Sequence, residues 1–282
     1  MPNTSKRRKW VSIAIVLFSL FIITVLAFNT DLKVFHYEVK SKKITNPVRI
    51  AFIADLHSCY YGENQSELLN AVVDQNPDIV LFGGDIIDDV LPSKNALTVL
   101  LALSERYPCY YVSGNHEYWT EEIEKIKQAV IDCGVKVLEG TCETVTVNDQ
   151  PINICGIDDA EVGERMMFDQ LENAYKGSDK DLFTVLLAHR PEYIDTYLNY
   201  DFDLILSGHA HGGQWRIPLL INGIFAPDQG WFPKYAGGLY EFSNSTFIVS
   251  RGLSRESTRV PRIFNRPEFV VIDVTAYEDK AF

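Results

Sequence analysis

Leu204-Ile205-Leu206-Ser207 is an apolar run that stops at Gly208, and His209, Ala210, His211 and the pair Gly212-Gly213 follow. Imidazole is the commonest protein ligand for zinc-like metals. On an extended backbone, residues two apart point to one side, so His209 and His211 are expected to offer two rings to one site just past a buried strand. The same punctuation recurs four times upstream. Val48 to Ala54 runs into Asp55-Leu56-His57, and Asp78 to Phe82 into Gly83-Gly84-Asp85 with Asp88 close behind. Cys109 to Val112 runs into Ser113-Gly114-Asn115-His116-Glu117, and Phe183 to Ala188 into His189-Arg190-Pro191. Taken singly, each segment reads equally as a turn, a cap or a loop dipeptide. Jointly they place five of the chain's six histidines at strand ends, where open α/β folds bind their ligands. Asp55, His57, Asp85, Asn115, His189, His209 and His211 are seven candidate ligands. One ion needs fewer, whereas two ions sharing a carboxylate need about this many. The mixed nitrogen and oxygen set favours two divalent ions of manganese, iron or zinc over calcium or magnesium.

The elements that position these residues read as strand, loop and helix in alternation from Pro47 onward. Helices are expected over 66–75, 95–106, 120–133 (with a Thr120 cap), 163–175 and 192–198. Short strands are expected over 135–138, 143–147 and 152–157. A hairpin is expected from Leu239 to Ser250, and a closing strand from Phe269 to Val274. Val34 to Val39 is a candidate edge strand inside a connector, and His36 is read as an ordinary surface residue. Neither repeats nor low-complexity segments are present.

Residues 10–28, Trp10 to Phe28, are apolar apart from Ser12, Ser19 and Thr24. As a helix they rise ~28 Å, close to the ~30 Å hydrocarbon thickness. Lys6, Arg7, Arg8 and Lys9 precede the run, while Asp31, Lys33, Glu38 and Lys40 balance beyond it. The positive-inside bias then places the N-terminus in the cytoplasm and the rest outside, in a single-pass cell-membrane protein. The expected layout is a basic cytoplasmic tail (1–9), a transmembrane anchor (10–28), a connector (29–47) and a catalytic domain (48–282). A cleaved signal peptide fits less well, because Val25-Leu26-Ala27-Phe28 is a poor cleavage site. A twin-arginine export signal is resembled only loosely.

Net charge is −12 over 282 residues, and it is more acidic still beyond the basic tail. This argues against a long nucleic-acid footprint, so no specific nucleic acid is expected as a partner. The five cysteines (59, 109, 133, 142 and 155) show no C-x-x-C spacing. They are expected to be free, mostly buried thiols. Trp119, Trp215, Trp231, Phe232 and Tyr235 either line a substrate groove or form a satellite core. Phe225 to Tyr235 is a stretch that could rest on the membrane beside the anchor.

Asp55-x-His57, Gly84-Asp85-x-x-Asp88, Gly114-Asn115-His116-Glu117, His189 and Gly208-His209-x-His211 together resemble the signature of the calcineurin-like metallophosphoesterases. The resemblance spans residues 48–274, and its glycine-rich tail and apolar segment are most similar to a bacterial membrane-associated branch. That branch includes phosphodiesterases and enzymes that cleave the pyrophosphate of a UDP-linked diacylated glucosamine. The resemblance implies an α/β fold of two mixed β-sheets sandwiched between helices. It implies that Asp55, His57 and His211 bind one metal, that Asn115, His189 and His209 bind the other, and that Asp85 bridges them. His116 would face the substrate phosphate and protonate the leaving oxygen, oriented by Asp88, with a metal-bridging hydroxide as nucleophile. Arg190 is a candidate phosphate contact, or else a surface salt bridge. The expected activity is hydrolysis of a phosphodiester or pyrophosphate bond in a phosphorylated small molecule or a lipid-linked substrate. The alternatives are a phosphomonoesterase and a non-catalytic, membrane-held scaffold of the same fold.

Overall fold

The computed structural model describes residues 4–256 and 260–277. The start of the basic tail (1–3) and the last residues of the catalytic stretch (278–282) lie outside them. The strands are β1 (Lys33–Ser41), β2 (Val48–Ile53), β3 (Ile79–Gly83), β4 (Cys109–Val112), β5 (Lys136–Val137), β6 (Thr141–Val147), β7 (Gln150–Gly156), β8 (Phe183–Leu187), β9 (Leu204–Ser207), β10 (Phe225–Ala226), β11 (Gly230–Trp231), β12 (Gly238–Glu241), β13 (Thr246–Val249) and β14 (Glu268–Ala276). Two six-stranded sheets result, with orders β1-β14-β2-β3-β4-β5 and β12-β13-β9-β8-β7-β6, and β10 and β11 form a separate ribbon. Both sheets are mixed. β2, β3, β4 and β5 run parallel, as do β13, β9, β8 and β7, while β14 is antiparallel to β2 and β6 to β7.

The packing follows from the two-residue period of a strand. Ile50 and Phe52 of β2 face a core shared with Leu206, Val185 and Ile154 of the other sheet. Ala51 and Ile53 face the opposite way, into a layer with Leu68, Val99 and Val130. Those three belong to the helices Ser66–Val73, Lys94–Ser104 and Ile123–Asp132. On the other side, Ile205 packs with Met167 and Leu171 of the helix Glu164–Gly177. Strands covered on both faces read as unbroken apolar runs, which is why the strands bearing ligands stand out in the sequence.

Three expectations change. The candidate edge strand Val34 to Val39 is β1, at the edge of the first sheet, but the connector around it is part of the domain: β1 pairs in parallel with β14 along Lys33–Ser41, and Val39 and Ile44 are buried. Its partner lies more than two hundred residues away, so no local pattern names it. The helix expected over 120–133 is cut short at its start, and a separate short helix precedes it, because the backbone turns left-handed at Glu121 (φ 59°). The first, Asn115–Trp119, carries residues read as a loop, and the second starts only at Ile123. Thr120 therefore closes the first helix and does not start the second; its hydroxyl donates to Glu117 O at 2.7 Å and accepts from Glu122 N at 3.0 Å. Finally, Cys142 and Cys155 are joined by a disulfide. The antiparallel β6–β7 register sets them directly opposite, and spacing alone does not reveal a register. Cys59, Cys109 and Cys133 are not in disulfides.

The helix Thr4–Ala27 stands outside this body, and its side from Arg8 to Leu26 is exposed. Arg8–Ala27 is long and apolar enough to cross a membrane. Its end is tied to the domain where Phe264 N donates to the carbonyl of Ala27 at 2.7 Å.

Candidate metal centre

The two sheets bring the ends of β2, β3, β4, β8 and β9 together. Asp55, His57, Asp85 and His211 converge in one group, and Asp85, His189 and His209 in another, so Asp85 is common to both. Asp85 Oδ2 lies 3.6 Å from His57 Nε2 and 3.2 Å from His189 Nε2. All seven candidate ligands are buried. Asp55 Oδ2, His57 Nε2, Asp85 Oδ2, Asn115 Oδ1 and His189 Nε2 have no hydrogen-bond partner there. Stranded buried polar atoms are costly, and five on one set of nitrogen and oxygen donors fit cations between them.

The ring nitrogens facing away from the cluster are held. His57 Nδ1 meets Asp88 Oδ1 at 2.9 Å, His189 Nδ1 donates to Gly83 O at 2.8 Å, and His211 Nδ1 meets Ser254 Oγ at 2.8 Å. Such partners fix the tautomer and aim Nε2 at a metal. His209 is held by Nε2, 2.9 Å from Asp228 Oδ2, which leaves Nδ1 for the cluster. The carboxylates are steered likewise: His209 N donates to Asp55 Oδ1 at 2.8 Å and His116 N to Asp85 Oδ1 at 2.9 Å.

Strand extension is not what brings the paired ligands together. Asp55, His57, Asp85, His209 and His211 all have φ between 46° and 64°. Left-handed backbone costs a non-glycine residue about 1–3 kcal/mol, and the turns it makes separate His209 and His211 into the two groups. Gly84 (φ 87°) is confined by the same crowding, since a Cβ there would lie 2.5 Å from His189 Nδ1.

Electrostatics is sharply divided within the cluster. Burial pushes the Asp85 carboxyl up, but His189, His57 and His116 outweigh it and hold Asp85 well below the usual carboxylate range. Burial disfavours charge on His189, yet Asp85 raises that ring to about 10. His211 is driven well down by burial and by the charges of His57 and Arg262.

Two expected roles shift. Asp88 Oδ1 is bonded to His57 and stands 3.5 Å from His116 Nδ1, whereas Asp89 Oδ1 is 2.6 Å from that nitrogen. Asp88 thus lies between His57 and His116 with its shorter contact to His57, and Asp89 makes the shorter contact to His116. The His116 ring lies edge-on to His57 at 4.3 Å and against Trp119 at 4.5 Å, a quarter exposed at the mouth of the cluster. Arg190 is not available to a phosphate. Its Nε meets both oxygens of Asp159 at 3.0 and 2.9 Å, Nη1 meets Asp228 at 2.8 Å, and Nη2 meets Glu161 at 3.0 Å. Asp159 and Glu161 from one loop and Asp228 from another occupy the guanidinium, with Asp159 buried and Glu161 and Asp228 partly exposed.

Sequence reasoning also assigned no role to Glu117, Asp228 or Ser254. Glu117 is fully buried and accepts from the backbone N–H groups of Asp85, Ile86, Ile87 and Gly114 at 2.8–3.0 Å. It clamps the loop that presents Asp85. Its place beside Asn115-His116 was the available signal. Of the aromatic residues, Tyr235 is buried in the core of the second sheet. Trp119, Trp215, Trp231 and Phe232 are exposed and form no satellite core.

Fold and site together define a two-sheet α/β hydrolase whose Asp/His cluster can hold metal ions. Residues 48–213, which hold every candidate ligand, match the calcineurin-like phosphoesterase family. The chain is 28% identical over 234 residues to phosphodiesterase YaeI of Escherichia coli, covering 81% of this chain and 82% of that one. It is 30% identical over 230 residues to a bovine transmembrane protein with a metallophosphoesterase domain, covering 73% of this chain and 48% of that one. Among solved structures, NAD nucleotidase (NadN) of Haemophilus influenzae shares the fold, with a TM-score of 0.52 at 18% identity over 74% of this chain and 46% of that one. The chain belongs to the calcineurin-like phosphoesterase family, and its activity is metal-dependent hydrolysis of phosphoesters.

Proposed function

We propose that the protein is a membrane-anchored phosphodiesterase that cleaves a phosphodiester or pyrophosphate bond at a pair of divalent ions of manganese, iron or zinc. The sharing of Asp85 between two ligand groups carries the reading, because one carboxylate common to two donor sets suits two neighbouring cations. Asp55, His57 and His211 would hold one ion, Asn115, His189 and His209 the other, and Asp85 both. Bound there, the ions would polarise the phosphoryl oxygens and acidify a water near neutral pH.

The remaining steps belong to side chains of this chain. His116 stands at the mouth with Nδ1 on Asp89, and this leaves Nε2 to give a proton to the departing oxygen. Trp119 and His57 pack against the His116 ring and restrict its rotation. Asp88, Ser254 and Gly83 keep three ligand rings aimed inward, so little reorganisation remains for the reaction.

Two observations support an extracytoplasmic domain. Four basic residues precede the apolar helix, which favours a cytoplasmic N-terminus. The Cys142–Cys155 disulfide suits an oxidising compartment. The likeness to YaeI favours a diester over a monoester.

The test uses the full chain in detergent, stripped of metal and reloaded with manganese, on bis-p-nitrophenyl phosphate and p-nitrophenyl phosphate. The diester should turn over only with metal, and Asp85→Asn should abolish that turnover. Monoester turnover alone would make the protein a phosphatase. Two bound metals with no turnover on either would favour the scaffold.

A further inference from the structure

A cavity of about 350 Å³ opens directly beside His211. Apart from His211 and Gln214 its wall is carbon: Trp215, Ile224, Phe225, Trp231 and Val260. It is of the size that ligand pockets have, and it adjoins a metal-binding cluster that is otherwise lined by charge. A phosphoester seated on the cluster can therefore place a neighbouring apolar group here without burying a polar one.

The loop that walls this cavity also holds the end of the apolar helix. Phe264 N donates to Ala27 O, and the neighbouring Ile263 bridges to Trp215. Trp215 Nε1 donates to Pro261 O at 2.9 Å. Arg266 ties down the next residues of the chain, with its guanidinium on the carbonyls of Asp31 and Leu32. The point where a membrane span would leave the bilayer and the wall of the cavity are thus one connected piece. Between Trp215 and Ile224 the chain makes a tight turn in which Leu219 and Leu220 are fully and four-fifths exposed. Trp231, on the cavity wall, and Phe232 beside it in the chain are two-thirds exposed. Isolated exposed apolar residues are ordinary, but here Trp231 lines the cavity, Phe232 follows it, and Leu219 and Leu220 tip the turn between two wall residues, Trp215 and Ile224; apolar and aromatic side chains gathered beside a span end match the make-up of a membrane interface.

We infer that this cavity is the subsite for the hydrocarbon part of a lipid phosphoester, entered from the bilayer across a rim of Leu219, Leu220, Trp231 and Phe232. The inference rests on the phosphodiesterase reading and names the substrate class for it. The bilayer is the source of that hydrocarbon, because the span holds the rim at its surface. The tail would lie against Trp215 and Ile224 while the phosphate reaches the cluster past His211.

The test compares ethyl p-nitrophenyl phosphate with octyl p-nitrophenyl phosphate, using the full chain in liposomes of neutral phospholipid. Each methylene that enters an apolar pocket can gain up to about fourfold. With about three of the six extra methylenes seated, the ratio of kcat/KM, octyl over ethyl, should rise to about sixtyfold. Trp231→Asp should bring that ratio close to one, and Phe225→Asp, at a half-exposed wall residue, should repeat the effect. The double change Leu219→Asp with Leu220→Asp should slow turnover of the octyl ester dissolved in the bilayer more than turnover of the water-soluble ethyl ester. No hydrolysis of the ethyl ester in the wild type would overturn the phosphodiesterase reading itself. Hydrolysis of both esters at equal efficiency would overturn the subsite alone. A chain-length gain that survives both wall substitutions would assign the gain to partitioning into the bilayer, and that too would overturn the subsite.

Discussion

Asp88→Asn and Asp89→Asn are neighbouring substitutions that should fail in different ways. Asp88 uses both oxygens: Oδ1 meets His57 Nδ1 at 2.9 Å, and Oδ2 accepts from Val90 N and Leu91 N at 3.1 and 2.8 Å. An amide has only one acceptor oxygen. If that oxygen stays with the two backbone N–H groups, the amide NH₂ faces His57 Nδ1, which must then accept. The ring proton moves to Nε2, the atom that points at the candidate ions. Loss of a carboxylate behind a ligating histidine costs about 10–100-fold in metal affinity, or about 1.4–2.7 kcal/mol. Asp89 touches His116 and no candidate ligand. Removing its charge should spare metal content and lower kcat by roughly tenfold or more, a part of the ~10²–10⁴ a proton-transfer group contributes.

The assay is bound manganese measured against buffered free manganese, with kcat followed over the same range. For Asp88→Asn the half-saturating manganese should rise 10–100-fold, and excess metal should recover most of the turnover. For Asp89→Asn the binding curve should stay in place and kcat should remain low at every concentration. A variant pair in which Asp89→Asn loses the metal, or in which both lose it equally, would refute this division of the two carboxylates.

Three further outcomes follow from the same geometry. Arg190→Ala leaves Asp159 buried without its partner and should destabilise the fold by about 3–5 kcal/mol, as denaturant unfolding would read; a raised KM at unchanged stability would return Arg190 to the substrate. Metal uptake should displace a proton from His189, which beside Asp85 is raised to about 10 despite burial and is therefore charged at neutral pH without a cation. Affinity should then climb with pH up to that value and fall on acidification by up to about tenfold per unit, and calorimetry in buffers of different ionisation enthalpy counts the proton. Removing residues 1–28 should leave a folded, metal-binding domain. Removing residues 1–47 also deletes β1 with the buried Val39 and Ile44, a loss of at least about 3 kcal/mol at ~1.5–3 per side chain, visible as a lowered thermal midpoint.

What the sequence made legible depends on whether the cause was local. Cys109–Val112 is a strand in both readings, because four residues buried on both faces must all be apolar and Pro108 bounds them. The convergence of Asp55, Asp85, His189 and the GHAH histidines was readable because a parallel strand delivers the residues after its end to one edge. The assignments that changed rest on partners far away in the chain. Asp88 and Asp89 are equivalent in a string of letters; only the fold sets one against His57 and the other against His116. Arg190 sits beside a ligand, but Asp159, Glu161 and Asp228 come from other loops to occupy it. Cys142 meets Cys155 through a register, and β1 meets β14 across nearly the whole domain.

The departures from local preference are concentrated in the cluster, and their cost explains the surrounding construction. Five ligand residues hold left-handed backbone, together several kcal/mol above relaxed geometry at about 1–3 each. No local interaction recovers that, so the neighbourhood must. Glu117 fastens four backbone N–H groups of the β3 and β4 loops. His57 N and Asp55 N bond to Asp85 O and Gly84 O, locking the β2 loop to the β3 loop. Gly208 and Gly252 let two further loops press on Asp55, where a Cβ would meet its carboxylate at 2.6 and 2.5 Å. The same fold holds these strained residues and leaves five ligand atoms without hydrogen-bond partners in the cluster. Places where local rules fail while the surroundings enforce the failure are where function is expected, and here they coincide with the residues whose types alone first suggested a metal pair.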